Sequence, residues 1–517
     1  MRQRRFGKVG AALAGGLVLA SAMPAAAQDA ARMEAVERQI RALQQELTRI
    51  RREAATREAE TREARQQAEA ARAEAAEARR SVAAAPAAAA VAQARPASAA
   101  EGRLTFPGYR PTFTSADGRF VASLGAQFQY DVGGYLRDAP GRPNNRGVPG
   151  LDTFGQNLRR GRLPFSFKFD DFTLNLTPDF GGSPDGTPSL YEANLNWNPA
   201  RLRPLTVTAG YFKPWVTLQD SMSSNDFLFL ERPSIVEIAR SIAAGDARSS
   251  VGARWADSRW FASGYLTGAA YGSNLTTQGV PDQTGSVFRL AGRPVATAEV
   301  DVHLGVSGSY AFDIKRTATG QTLQLRDRAE LRIDQSRLID TGALNADKAW
   351  TAGPEFAVRW RSFLLQGEYI KIGVDQSRAG VAPRPDLQFS GGYAEASWVI
   401  TGETRSYGTS GAAFGRPNPR RPFSLEGDGW GAWEAVARYS VADLNDKVTR
   451  GRAQAATGGV YGGRQEVVGM GLSWYPNNLL RFMLNWDVVK VDRLNAAGTT
   501  QIGQRFHTVA LRTQLAF

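Results

Sequence analysis

Cysteine is missing from all 517 residues, which excludes disulfide frameworks, thiolate metal sites and cysteine nucleophiles. Histidine is nearly missing: His303 and His507 are the two present, too few for a multi-histidine metal centre. Beyond the N-terminus no apolar run approaches the roughly 20 residues that a membrane-crossing helix needs, and the mean hydropathy is −0.33. A helical membrane protein is therefore not expected. A G-x-S-x-G elbow, an H-E-x-x-H helix and a P-loop are also lacking, so serine hydrolase, metalloprotease and nucleotide-driven chemistry lose their usual carriers. No enzymatic activity and no cofactor is expected.

What the chain does have is glycine, aromatic residues and positive charge. It holds 53 Gly, 25 Phe, 14 Tyr and 11 Trp, with 63 Lys and Arg against 50 acidic residues, a formal net charge of +13. Residues 1–27 read as a secretory signal. Arg2, Arg4, Arg5 and Lys8 precede an apolar stretch from Ala11 to Ala22, and Ala25, Ala26 and Ala27 supply small residues for cleavage before Gln28. Residues 28–80 read as a periplasmic coiled-coil arm. Val36, Ile40, Leu43, Leu47, Ile50 and Ala54 begin a seam that continues through Ala64, Ala68, Ala71, Ala75 and Ala78, interrupted at Arg57 and Thr61. A seam of this kind needs partner helices, and contact with the cell wall is one use for such an arm. Residues 81–101, rich in Ala and carrying Pro86 and Pro96, read as a linker.

From residue 102 to 517 the period changes to two. Leu163, Phe165, Phe167 and Phe169 alternate with polar neighbours, as do Phe172, Leu174 and Leu176, then Tyr191, Ala193, Leu195 and Trp197, and Val300, Val302, Leu304 and Val306. Soluble sandwiches also alternate. Two further features point to a membrane barrel: the face opposite the apolar one carries charge on strand after strand, and Trp and Tyr recur near strand ends. Tyr211, Trp215, Trp255, Trp260, Trp360, Tyr369, Trp398, Trp474 and Tyr475 are assigned on this basis to interfacial girdles. The last strand ends on Phe517, which resembles the assembly signal of outer-membrane barrels. At about 25 residues per strand and connection, the region predicts an all-β transmembrane antiparallel barrel of about 16 strands, large enough to keep an aqueous lumen.

Strand parity turns Arg160, Arg162, Lys168, Arg254, Arg289, Arg438 and Arg512 toward that lumen. Arginine suits oxyanions because its planar fork donates paired hydrogen bonds and keeps its charge at any working pH. A row of such sites at moderate affinity would pass anions from one to the next. The same residues could instead pair with Glu192, Glu434 and Asp301 and serve the wall. Arg416, Arg420 and Arg421 read as a loop cluster able to meet lipopolysaccharide or gather anions at the mouth. No basic stripe with stacking aromatics is present, so nucleic acid is not an expected partner.

Six ordered blocks carry a family resemblance: LRRGRLPFSFKF at 158–169, the segment 205–234, the segment 249–272, the segment 401–423, GAWEAVARYSVADLND at 431–446 and SWYPNNLLRFMLNW at 473–486. In this order they resemble the phosphate-selective porin O and P family. The resemblance implies a homotrimeric 16-strand outer-membrane barrel whose third loop folds into the lumen, with arginines guiding phosphate or polyphosphate. It makes 213–232 the constriction loop and adds Lys213 and Arg232 to the anion path. The loop departs from phosphate-specific relatives, since Asp220, Asp226 and Glu231 offset its two cations and Gln219 stands where Glu is usual. The expected function is an outer-membrane diffusion channel for small hydrophilic solutes that prefers anions. The alternatives are a non-selective porin, or a barrel that anchors the membrane through its coiled-coil arm.

Overall fold

The computed structural model describes residues 102–137, 151, 154–182, 188–272, 282–314, 316–317, 320–377 and 384–517. The described residues all belong to one compact unit, 99–517. The signal segment 1–27, the arm 28–80 and the linker 81–101 lie outside the described residues.

Sixteen strands, among the described residues, form one closed antiparallel barrel. They are β1 (Phe120–Leu124 continuing as Gln127–Arg137), β2 (Phe154–Arg162 continuing as Phe165–Phe169), β3 (Phe172–Asp179), β4 (Ser189–Trp197), β5 (Leu205–Phe212), β6 (Arg248–Ala256), β7 (Trp260–Ala270) and β8 (Thr284–Ala296). Then follow β9 (Val300–Asp313), β10 (Leu344–Trp360), β11 (Phe363–Gln376), β12 (Leu387–Val399), β13 (Ala432–Asp446), β14 (Val460–Tyr475), β15 (Leu480–Asp492) and β16 (Arg505–Ala516). Pairing of β16 with β1, from Phe506 against Arg137 to Ala516 against Gln127, closes the cylinder, so every strand edge is satisfied as a bilayer demands.

Two kinds of connection mark the two ends. At the end holding Phe517, most strands join by short turns that sequence chemistry dictates. Asp257 Oδ1 accepts the amides of Arg259 and Trp260 at 2.7 and 2.8 Å, while Asp170 and Arg361 take positive φ angles of 49° and 52° in their two-residue turns. Long loops occupy the other end, which makes the short-turn end periplasmic. One periplasmic connection breaks the pattern: residues 400–431 contain a hairpin, Arg405–Gly408 against Ala413–Pro417, that enters the lumen.

The outward face is apolar, as alternation requires. Phe167, Leu174, Leu195, Leu266, Leu290, Leu304, Leu365, Leu484 and Leu511 are all exposed. Ring stacks run along the short-turn rim, from Trp360 through Phe363 to Trp398 and from Trp433 through Trp474 to Phe482, which is where an interfacial girdle is needed. Trp215, Tyr475 and Tyr191 depart from the girdle and alternation expectations and face inward. Trp215 lies on a loop inside the barrel, and Tyr475 is buried with its hydroxyl donating to Glu434 at 2.7 Å. Tyr191 turns inward because the register slips between Thr177–Glu192 and Pro178–Leu190. The bulge inserts one extra residue there, at a place where Pro178 cannot donate to the ladder anyway.

The lumen is not uniformly wet. Loop 213–247 folds inside and carries two helices, α1 (Leu218–Ser221) and α2 (Ser234–Ala243). Ile235, Val236, Ile238 and Ile242 of α2 pack with Leu325, Leu331 and Ile339 of loop 314–343 against Ile370, Ile372, Phe389, Val489 and Phe506 of the inner wall. Near the long-loop end the inward wall residues are therefore apolar. Each fully buried Ile or Phe contributes about 1.5–3 kcal/mol of transfer free energy. At Gly391 a Cβ would stand 2.9 Å from Ile235 Cγ1 and 2.3 Å from Val441 O, so only glycine lets α2 approach the wall this closely.

Leu304→Arg in the outward band is expected to lower unfolding stability in lipid by about 2–4 kcal/mol, the range for a cation near the bilayer midplane. Denaturant titration of reconstituted protein measures it. An unchanged midpoint would mean that Leu304 does not face lipid.

Candidate permeation pathway

A loop inside a barrel has carbonyl groups that no ladder pairs, and here arginines pair them. Arg512 Nη1 donates to Leu230 O at 2.6 Å, Arg438 Nη1 to Glu231 O at 2.8 Å and Arg481 Nη1 to Phe227 O at 2.7 Å. Arg405, on the periplasmic hairpin, donates to Asp226 O at 3.0 Å. Arg289 holds that hairpin through Gly411 O at 2.7 Å and Ala412 O at 2.8 Å. Each cation is matched by a buried carboxylate. Arg512 makes a two-point contact with Asp131 at 2.6 and 2.7 Å, and Arg405 makes one with Glu434 at 2.6 and 2.8 Å. Arg289 meets Glu355 at 2.8 Å, Arg438 meets Glu330 at 2.7 Å and Arg481 approaches Glu434 at 3.8 Å. Glu368 completes the clamp from the acidic side, accepting the amides of Leu218 at 2.9 Å and Gln219 at 2.7 Å at the start of α1.

A second ionic cluster ties the two inserted loops together. Glu231 receives Arg159 at 2.5 Å and Arg332 at 3.2 Å, and Glu237 receives Arg232 at 2.9 Å and Arg332 at 3.0 Å. Asp220 meets Arg240 at 2.6 Å and Arg232 at 3.3 Å. Burial alone would raise the Glu231 carboxyl, but Arg159 and Arg332 hold it well below the usual range.

An open cavity of about 540 Å³ remains between β3–β5 and the inserted segments. On the wall side stand Thr173, Asn175, Glu192, Asn194, Asn196, Thr206 and Thr208, and on the other Trp215 and Met222 of the loop with Ser410 and Phe414 of the hairpin. Lys213, Asp226 and Arg254 also border it. Arg254 donates to Ser410 O at 3.0 Å, and its guanidinium lies 5.2 Å from the centre of the Trp215 ring. Lys213 donates to Asp220 O, and to Met222 O at 3.3 Å. Burial pushes its ammonium down to about 8; Asp220 opposes the shift and Arg232 adds to it.

The nine residues expected along an anion path thus occupy four settings: the cavity border, the clamp, the loop cluster and the barrel wall. Lys213 and Arg254 border the open cavity, and Lys168 is exposed beside it, opposite Thr173 in the β2–β3 register. Arg289, Arg438 and Arg512 are buried in the clamp, and Arg232 is buried in the loop cluster. Arg160 is buried and donates to Gln129 Oε1 at 2.5 Å. Arg162 is paired with Asp179 at 2.6 Å and lies 3.4 Å over the Tyr191 ring. Arg416, Arg420 and Arg421 are not at the long-loop mouth. Their connection joins β12 to β13 at the periplasmic end, so the expected contact with lipopolysaccharide is corrected.

Sequence reasoning missed several residues. Arg159 is the extra residue of a β1–β2 bulge, where Gln129 pairs with Arg160 but Tyr130 with Leu158; parity arguments fail at such a step. Arg405 and Tyr407 sit on the hairpin, which carries no alternation signal. Arg481 and Glu368 obey strand parity and were available to it. His303 has no partner that sequence spacing reveals; its ring bonds Glu355 at 2.9 Å and Tyr407 at 2.8 Å.

Residues 123–517 match the family described as phosphate-selective porin O and P. An uncharacterised protein of Caulobacter vibrioides is 28% identical over 82% of this chain and 78% of its own length. Porin O of Pseudomonas aeruginosa is 23% identical over 80% of this chain and 94% of its own. Among solved structures, an anion-selective porin from Comamonas acidovorans aligns with a TM-score of 0.45 at 12% identity, covering 77% of this chain and all (100%) of that one.

Arg512→Leu is expected to destabilise the folded barrel by about 3–5 kcal/mol, because it strands the buried Asp131 and Glu231 carboxylates. Adding Asp131→Leu is expected to recover part of the loss. Urea titrations of the two single variants and the double form the cycle, and strictly additive effects would dissolve the pair.

Proposed function

The chain belongs to the phosphate-selective porin O and P family and forms a channel-type barrel of the outer membrane; from this premise we propose that it is a diffusion channel for small hydrophilic solutes with a mild preference for anions. One observation supports that preference. Lys213 and Arg254 border the open cavity, and among the described residues neither lies within ion-pair distance of a carboxylate. Two carboxylates also border it, Glu192 and Asp226. Asp226 sits beside Arg405 and Arg416, which leaves Glu192 as the main opposing charge. The local balance is slightly positive.

A dehydrated anion needs several fixed donors at once to replace its shell. The cavity offers single cations separated by neutral amides, so phosphate or polyphosphate passes as one solute among others and not as a tightly bound guest. The clamp arginines contribute to this path only through their field, since they are buried and their terminal N–H groups are spent on carboxylates and loop carbonyls. We assign no catalytic step: His303 is buried between Glu355 and Tyr407 and acts as a strut for the hairpin. The same reading takes the protein to be an exported homotrimer, with the 28–80 arm in the periplasm supplying helices for partner copies or cell-wall contact.

Planar-bilayer recording in a KCl gradient tests the proposal. An anion-sign reversal potential is expected, and Arg254→Glu should move it toward the cation side; a cation-selective wild type overturns the assignment. The Lys213 ammonium is charged below about pH 8 and neutral above it, so anion preference should decline between pH 7 and 9. Lys213→Met should flatten that decline. A pH-independent reversal potential in the wild type would remove Lys213 from the path.

A further inference from the structure

We propose that the passage binds neutral polyhydroxylated solutes of saccharide type along a rail of amides and hydroxyls on β3–β5. This rests on the channel reading above and names a solute class for the same lumen. The rail is built from two runs of hydrogen bonds. Glu192 accepts from Thr177 Oγ1 at 2.9 Å and from Asn194 Nδ2 at 3.2 Å. Asn194 Oδ1 accepts in turn from Asn175 at 3.3 Å and Asn196 at 2.7 Å. Thr208 Oγ1 donates to Asn196 Oδ1 at 2.7 Å. Toward the periplasmic end Asn198 Nδ2 donates to Thr206 Oγ1 at 2.7 Å, and Arg254 reaches that hydroxyl at 3.5 Å.

Three properties of this wall point to hydroxylated solutes. Amides and hydroxyls each carry both donor and acceptor capacity, as does every sugar hydroxyl, so a polyol trades water for rail contacts without stripping a charge of its shell. Inward positions recur about every 6.8 Å along a strand and about 4.8 Å across strands, so a flexible chain of hydroxyls reaches the next site before leaving the last. That is the condition for flux through a binding channel. Trp215 borders the same cavity from the loop side, and an indole face accepts the C–H surface of a sugar ring. A wall selected for anions would present cations at these positions. Here the inward residues of β3–β5 that border the cavity are Asn, Thr, Tyr191, Phe212 and one Glu.

The test uses the full-length protein in planar bilayers, with maltotriose as probe and inorganic phosphate and a polyethylene glycol of matching size as comparators. Transient interruptions of the KCl current that rise with maltotriose concentration are expected, with none from the glycol. Asn196→Leu and Trp215→Ala should each weaken apparent maltotriose affinity about fivefold, the effect of losing one neutral contact. Heat-modifiable migration confirms that each variant is assembled, and Thr208→Val replaces Asn196→Leu should the latter fail. A conducting wild type that ignores maltotriose overturns the proposal, as do equal interruptions by the glycol or interruptions by phosphate alone. Absence of KCl conductance overturns the channel reading itself.

Discussion

Irregular backbone placed inside a closed barrel must find hydrogen-bond donors for its carbonyls, and this constraint organises the lumen. Water could supply donors in a wide pore, but the stretch of loop 213–247 from Phe227 to Glu231 is buried, and arginines reach its carbonyls instead. Arginine meets the need because one guanidinium carries five donors in a rigid fork. In Arg512, two point at Asp131 and another reaches Leu230 O. Arg405 divides its donors in the same way between Glu434 and the carbonyls of Asp226 and Gly415. A lysine at either place would bring three donors and a compact charge, with no geometry for doing both. The carboxylate partner is equally necessary, since an unpaired guanidinium in so dry a place would cost several kcal/mol.

The barrel is unequal around its circumference, and the inequality decides where solutes can go. β10, β11, β13 and β14 run for 14 to 17 residues, and their inner faces supply apolar wall to α2 and ionic wall to the loop. β3, β4 and β5 are 8 or 9 residues long. Their inner face at the cavity is mostly Asn and Thr, with Tyr191, Glu192 and Phe212 beside them, and among the described residues no inserted element seals against it. The inserted loop and the periplasmic hairpin meet over this face from opposite ends, with Gly411 close to Trp215 and Ser221 O. The passage is what remains after the packed side of the barrel has been filled.

Strand period, outward apolar face and aromatic rim were legible in the sequence because each is a local pattern. Leu163, Phe167 and Phe169 face outward as their spacing requires, and Arg512 and Gln514 face inward. Bulges were not legible. One extra residue at Arg159 and another at Tyr191 reverse the local parity, and both follow from cross-strand register, which a single strand does not encode. The apolar half of the lumen escaped for a related reason. Ile370, Ile372 and Val374 are as inward as Arg438, but alternation reports only that two faces differ. It does not say which face meets lipid when both are greasy. The hairpin at 405–417 had no period to betray it, and its place follows from Arg289 and Arg405, residues about 120 positions apart that share it between wall and turn.

Parity correctly placed cations on the inner face, yet orientation toward a lumen is not availability to a solute. The fork that recognises phosphate recognises a carboxylate by the same two parallel bonds, and Asp131, Glu355 and Glu434 are covalently attached at near-contact distance. A passing anion competes with these internal ligands at their effective concentration, and winning would strand a buried carboxylate. The clamp arginines are thus occupied by the protein's own anions, and the anion preference we propose rests on Lys213, Arg254 and Lys168, for which no carboxylate lies within ion-pair distance among the described residues. Replacing one clamp carboxylate with an apolar residue would convert a structural guanidinium into an anion site only if the loop carbonyl bond survived. Holding the loop and binding phosphate draw on the same five N–H groups, so a strongly phosphate-binding lumen needs more arginines than a clamp requires.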